Sequence, residues 1–92
     1  MITVRRVVGK SMEPALYAGS VVIARQKKPK IGDIVIAKTQ GREVIKRITH
    51  ESPSQLYLQG DNTEFSTDSR DYGPIPRESV LGVLWFHFGG RK

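Results

Sequence analysis

Two residues in this chain have the types and settings needed for acyl transfer. Ser11 stands at the end of a β-like run, in the stretch VGKSMEPALYAGS, followed by Met12 and, two residues further on, by Pro14. Proline disfavours helical angles in its predecessor, here Glu13, so the corner is expected to be extended and stiff and to present the Ser11 hydroxyl. A serine hydroxyl becomes a good nucleophile only when a base takes its proton. The two histidines are the usual bases, but His87 ends an apolar run and His50 begins a turn. Neither sits in a Ser-His-Asp arrangement, and both read as structural. The other option is a lysine. In REVIKRITH the alternation puts Val44, Lys46 and Ile48 on one face, and Ile45, Arg47 and Thr49 on the other. If the first face is buried, the ammonium form of Lys46 loses hydration, which is the direction a lysine base requires. Arg47 cannot substitute, because guanidinium stays protonated. The same residues also suit a serine that is merely exposed and a lysine that carries its head out to water from a half-buried strand.

The elements that must position this pair are strands. Short apolar runs with period two, rich in β-branched residues and bounded by turn residues, are expected near 2–8, 20–25, 33–38, 42–49, 55–60 and 79–86. KKPKIGD turns one strand into the next, and TQGRE reads as a tight hairpin around Gly41. Only MEPALY and PRESV suit a helical turn each, the latter with Pro76 in a first-turn position. The expected fold is all-β, a small barrel-like assembly of antiparallel strands forming a single domain over residues 1–92. A chain of 92 residues buries only roughly 60–65% of its unfolded surface, so the core is thin. One segment breaks the rhythm. Gln59 to Pro76, QGDNTEFSTDSRDYGPIP, is long, polar and without periodicity, as functional or disordered loops are. Its Asp, Asn and Ser residues are suited to pinning backbone through local hydrogen bonds.

Composition narrows the chemistry further. With no cysteine and two histidines there is no disulfide framework, no thiolate nucleophile and no expected metal site, and no cofactor is expected. Lys and Arg outnumber Asp and Glu by 15 to 9, a formal charge of +6 that favours acidic partners. Nucleic acid is not the expected partner, because aromatic and basic residues do not interleave as in a base-stacking platform. No apolar window is long enough to cross a bilayer, and MITVRRVVGK lacks the apolar region of a secretory signal. The expectation is a soluble, cytoplasmic chain, or a membrane-associated one if an anchor has been removed.

Four blocks resemble, in order, those of the signal peptidase I family of Ser-Lys serine proteases, which is similar to the catalytic domain of the LexA-type self-cleaving repressors. They are SMEPAL (11–16), GDIVIAK (32–38), VIKRI (44–48) and GDNTEFSTDSRDYGPIP (60–76). In the last block Gly60, Asp61, Asn62, Ser66, Asp68, Ser69, Arg70 and Gly73 fall at the family's spacing. The resemblance implies Ser11 as nucleophile and Lys46 as general base. It further implies Ser66 as the residue that orients the lysine amine, and Asp68 with Arg70 as an ion pair holding the loop beside the dyad. Met12 would line the substrate groove, and the Ser11 backbone N–H would serve the oxyanion. Where some members carry a hydroxyl donor two residues before the nucleophile, this chain has Gly9.

The implied partner is a precursor protein with a cleavable N-terminal peptide, bound as an extended strand with small residues next to the cut. The general secretory enzymes carry membrane segments before the nucleophile and a Gly-x-Pro-Gly-Asp turn after the lysine block; here THESPSQ follows. The chain is in this respect more similar to the soluble maturation proteases of the family, such as the one acting on nickel-type superoxide dismutase. Two other readings compete. One is the catalytic part of a membrane-tethered signal peptidase, with Trp85, Phe86 and Phe88 in VLWFHF for lipid contact. The other is a non-catalytic basic β-domain that binds peptide or nucleic acid.

Overall fold

The alternation of apolar residues along each strand sets the two faces of one antiparallel sheet. In the computed structural model, which describes residues 1–65 and 72–90, the strands are β1 (Ile2–Arg6), β2 (Ser20–Arg25), β3 (Ile34–Thr39), β4 (Arg42–Glu51), β5 (Gln55–Gln59), β6 (Ile75–Pro76) and β7 (Val80–Gly89). Their order in the sheet is β1-β2-β7-β3-β4-β5-β6. The sheet stays open, with β1 and β6 as its edges. The all-β expectation holds, and the strand limits differ by a few residues. β1 stops at Arg6, β4 runs on to Glu51 and β7 to Gly89. The segment read as one long loop contains the short strand β6, whose Ile75 pairs with Leu56.

β3 lies inside the sheet, and its residues Ile34–Ala37 are buried whichever way they point. Ile34 and Ile36 join Val22, Ala24, Met12 and Leu16 in one apolar cluster. Val35 and Ala37 join Ile48, Leu56, Leu58 and Val83 in another, on the opposite face. Each fully buried Val, Leu or Ile contributes roughly 1.5–3 kcal/mol, so two thin layers share the stability of the domain. β3 and β4 are joined as the sequence predicts. Thr39 pairs with Arg42, and the two residues between them, Gln40 (φ 52°) and Gly41 (φ 74°), take the positive angles of a tight hairpin.

Two local features depart from the sequence expectation. The Ser11 corner is not extended. It is a turn in which the Leu16 N–H donates to the Met12 carbonyl (2.8 Å) and the Glu13 N–H to that of Lys10 (3.1 Å). The Glu13–Pro14 bond is cis. Pro76 precedes the 3-10 turn Arg77–Ser79 as its cap and is not inside its first turn. At Gly82 the strands come so close that a Cβ would lie 2.9 Å from that of Ala24.

Candidate active site

The register of the sheet brings the two halves of the site together. β4 carries Lys46 opposite Val35, on the face of the second apolar cluster, and the lysine is 5% exposed. Val44 packs on that cluster and Ile48 belongs to it, so the face shared by Val44, Lys46 and Ile48 is the buried one. Burial takes the lysine amine out of bulk water, which costs most when the amine is charged.

Ser11 reaches the same place from the other side. β1 ends at Arg6 and the chain continues through Val7 to the turn at Ser11, which is only partly exposed. Ser11, Met12 and Lys46 line one groove of about 520 Å³, bounded by the chain from Arg5 to Met12 on one side and by Arg42–Lys46 of β4 on the other. Met12 is 1% exposed and belongs to the first apolar cluster, so it supports the groove from the core. Neither histidine is among the groove residues. His50 is exposed with its ring edge toward Tyr57, and His87 is exposed on β7. Ser66, Asp68 and Arg70 lie outside the described residues.

The serine and the lysine are also linked through the chain that follows β5. Arg47, next to Lys46, donates Nε and Nη2 to the two carboxylate oxygens of Asp61, both at 2.8 Å, and Nη1 to the Gly32 carbonyl at 2.8 Å. The hydrogen bond to Asp61, more than the charge attraction, holds the Arg47 guanidinium above its ordinary value against the opposing effect of burial. The next residue, Asn62, donates its backbone N–H to the Ser11 carbonyl at 2.8 Å. Strand β4 thus fixes Asp61, and Asp61 fixes the amide that holds the serine turn. On the sequence alone Arg47 reads only as a group unable to act as base. The available signal was an arginine on a strand face between Ile45 and Thr49, which requires an acidic partner when half-buried.

A second ion pair crosses the groove. Arg5 donates Nε and Nη2 to the two carboxylate oxygens of Glu43, at 2.6 and 3.0 Å. The hydrogen bond from Arg5 holds the Glu43 carboxyl below its ordinary value, against some desolvation and with help from the charges of Arg5 and Lys38. Nothing in the local pattern around residues 5 and 43 signals that they meet.

The family model described as Peptidase S24-like matches residues 2–83, a span that includes both sides of the groove and the segment after β5. The chain belongs to that family. Among its relatives, mitochondrial inner membrane protease subunit 1 from Homo sapiens is 34% identical over 106 aligned positions, covering 85% of this chain and 64% of the relative. The same subunit from Mus musculus is 31% identical over the same coverage. The signal peptidase complex catalytic subunit SEC11 of Scheffersomyces stipitis is 39% identical over 64 positions, covering 61% of this chain and 39% of the relative. The chain spans about 64% of the length of the mammalian relatives. The resemblance to signal-peptidase-type proteins therefore holds at the level of the family, and none of these three relatives is named for maturation of nickel superoxide dismutase.

Among the described residues, no group of acidic, histidine or cysteine side chains is disposed to hold a metal ion. No helix among them is long and apolar enough to cross a membrane. The sheet does carry an apolar outer strip. The register shift between Ile23 and Ala24 leaves Trp85 as an extra residue in β7, so that Trp85 and Phe86 are both about half exposed, as is Phe88. Val4 of β1, aligned through Ile23 with Phe86, is 51% exposed and extends the strip. Arg25 lies over the Trp85 ring at 5.1 Å.

Proposed function

We infer that this domain is a serine endopeptidase that removes an N-terminal peptide from a precursor protein, with Ser11 as nucleophile and Lys46 as general base. The observation that carries the reading is a buried lysine on β4 and a partly exposed serine lining one groove. In the reaction, the neutral amine of Lys46 takes the Ser11 hydroxyl proton as Oγ bonds to the scissile carbonyl carbon. The lysine returns that proton to the leaving amine as the C–N bond breaks, leaving an acyl-enzyme. Water then attacks the ester, giving a proton to Lys46, and the lysine hands that proton to Ser11 Oγ as the ester C–O bond breaks, releasing the acid and restoring the serine. The Ser11 backbone N–H serves the developing oxyanion, with Gly9 offering no side-chain donor. The family resemblance adds Ser66 as the residue that orients the amine and the Asp68–Arg70 pair as support for the loop.

The groove also suits the substrate. Residues 42–46 of β4 pair with β3, whereas β5 pairs with β4 only from Arg47 onward; β1 is an edge strand. An extended peptide can add to these strand edges by backbone hydrogen bonds. Candidate precursors include that of nickel-type superoxide dismutase, from the sequence resemblance, and proteins of membranes, from the similarity to inner membrane protease subunits. Mass spectrometry of such precursors is the test, after incubation with wild type, Ser11→Ala, Lys46→Ala and Lys46→Arg. Cleavage by wild type alone is expected, each variant losing about 10³-fold or more. Full activity in a purified, folded Ser11→Ala or Lys46→Ala variant ends the assignment.

The apolar strip with Trp85, Phe86 and Phe88 supports a site of action at a membrane surface, where aromatic side chains settle at the boundary. Flotation with liposomes is expected to carry the domain upward; a protein that stays at the bottom of the gradient restores the cytoplasmic reading.

A further inference from the structure

The groove carries a charge pattern that the cleavage chemistry does not use. Besides Lys46, four of its lining residues are basic, Arg5, Arg6, Lys10 and Arg42, and one, Glu43, is acidic. Such a concave, low-dielectric surface concentrates the field of one sign. Glu43 answers it from within, its carboxylate held in the Arg5 fork at 2.6 and 3.0 Å. Four successive antiparallel pairings, β1–β2, β2–β7, β7–β3 and β3–β4, leave β1 and β4 running parallel to each other, so the groove has a direction. Ser11 follows β1, and Lys46 follows Glu43 by three residues, about 10 Å along a strand.

The geometry points to Arg5 as a specificity-determining residue that reads an acidic side chain in the substrate, three or four residues from the scissile bond. This deepens the peptidase reading and rests on it. A planar guanidinium fork matches a carboxylate with two parallel hydrogen bonds, and Glu43 occupies that fork as a stand-in for the substrate's own acid. When a substrate carboxylate takes the fork, Glu43 has a second cation within reach. Lys38 is its direct partner across the β3–β4 ladder and already acts on its charge. The exchange swaps one ion pair for another, with no bare charge left behind.

Short fluorescein-labelled peptides with small residues at the centre test this, a single glutamate being moved through every position and each peptide paired with its glutamine counterpart. Binding is read by anisotropy on Ser11→Ala, and cleavage by mass spectrometry on wild type. At one position the glutamate peptide is expected to bind about tenfold more tightly than its glutamine counterpart. Arg5→Gln in the Ser11→Ala background removes that preference, and Glu43→Gln, which empties the fork, increases it. The two side chains are 43% and 38% exposed, and a thermal melt of each variant confirms its fold. Equal binding of acid and amide peptides at every position, or a preference untouched by Arg5→Gln, overturns the inference. Acid preference in binding with no peptide cut by wild type leaves the charge reading standing and removes the peptidase. Cleavage without preference does the reverse, and no binding by any peptide overturns the charge reading.

Discussion

Removing the Asp61 carboxylate tests how the two halves of the site are held together. In Asp61→Ala, Arg47 loses both 2.8 Å hydrogen bonds and keeps only the Gly32 carbonyl. Hydrogen bonds to charged groups contribute about 1.5–3 kcal/mol each when sheltered, and fully exposed ion pairs only about 0.2–1 kcal/mol. The side chains here are 35% and 20% exposed, between those limits, so a loss of about 2 kcal/mol in all is expected. In a domain of this size 1 kcal/mol moves the melting temperature by about 4–8 °C, so circular dichroism should show a drop of about 10 °C. A cycle of Asp61→Ala, Arg47→Met and the double variant isolates the pair, and a coupling of about 1–2 kcal/mol is expected. The kinetic consequence is separate. Well below the melting temperature, the loosened Asn62 amide no longer fixes the Ser11 carbonyl, and kcat is expected to fall about tenfold or more with KM little changed. A melting temperature within about 1 °C of wild type refutes the energetic reasoning. A lowered melting temperature with unchanged kcat refutes the transmission to Ser11.

Three further outcomes follow from the same structure. Gly82→Ala places a Cβ 2.9 Å from that of Ala24 between paired strands, and a loss of about 1–3 kcal/mol should appear as a lower urea midpoint. Arg77 donates to the carbonyls of Ser52 and Pro29 and to the Glu51 carboxylate, tying three connections together away from the groove. Arg77→Lys cannot reproduce that fork, so the melting temperature should fall while peptide binding by the groove stays unchanged. Glu43 has its carboxyl held low, chiefly by the Arg5 hydrogen bond. The stabilisation from the Arg5–Glu43 pair is therefore complete above the ordinary glutamate range and is lost only as pH falls through the lowered folded value. Carbon-detected NMR titration of the Glu43 carboxyl should show a midpoint below that of free glutamate, moving back up in Arg5→Gln.

What could be read from the sequence was what repeats with period two. The alternation around Lys46 placed Val44 and Ile48 beside it but left open which face is buried, which the cluster with Val35 and Ala37 decides. The Thr39–Arg42 hairpin was legible because its turn residues take unusual angles. β6 was not, since two residues ending in a proline give no periodicity, and its place beside β5 is fixed by Ile75 entering the second cluster. The ends of Arg47 and Arg5 were equally hidden. Their partners lie 14 and 38 residues away, and only the assembled register brings them close. At Ser11 the local rule failed because it limits only the residue before Pro14, whereas the corner is closed by hydrogen bonds from Glu13 to Lys10 and from Leu16 to Met12. The bulge at Ile23 and Ala24 likewise turned Trp85 and Phe86 outward together, which strict alternation forbids.

The open border of the sheet has a consequence beyond catalysis. Among the described residues, β1 and residues 42–45 of β4 each pair with a strand on one side alone, and such an edge accepts any passing strand, including one from another copy of the chain. Arg5, Arg6, Arg42 and Glu43 crowd that border with charge. Two copies meeting there bring like charges together before their backbones can pair, so the residues that admit a chosen peptide also act as gatekeepers against self-association. Neutralising several of them at once should yield a protein that aggregates through this border.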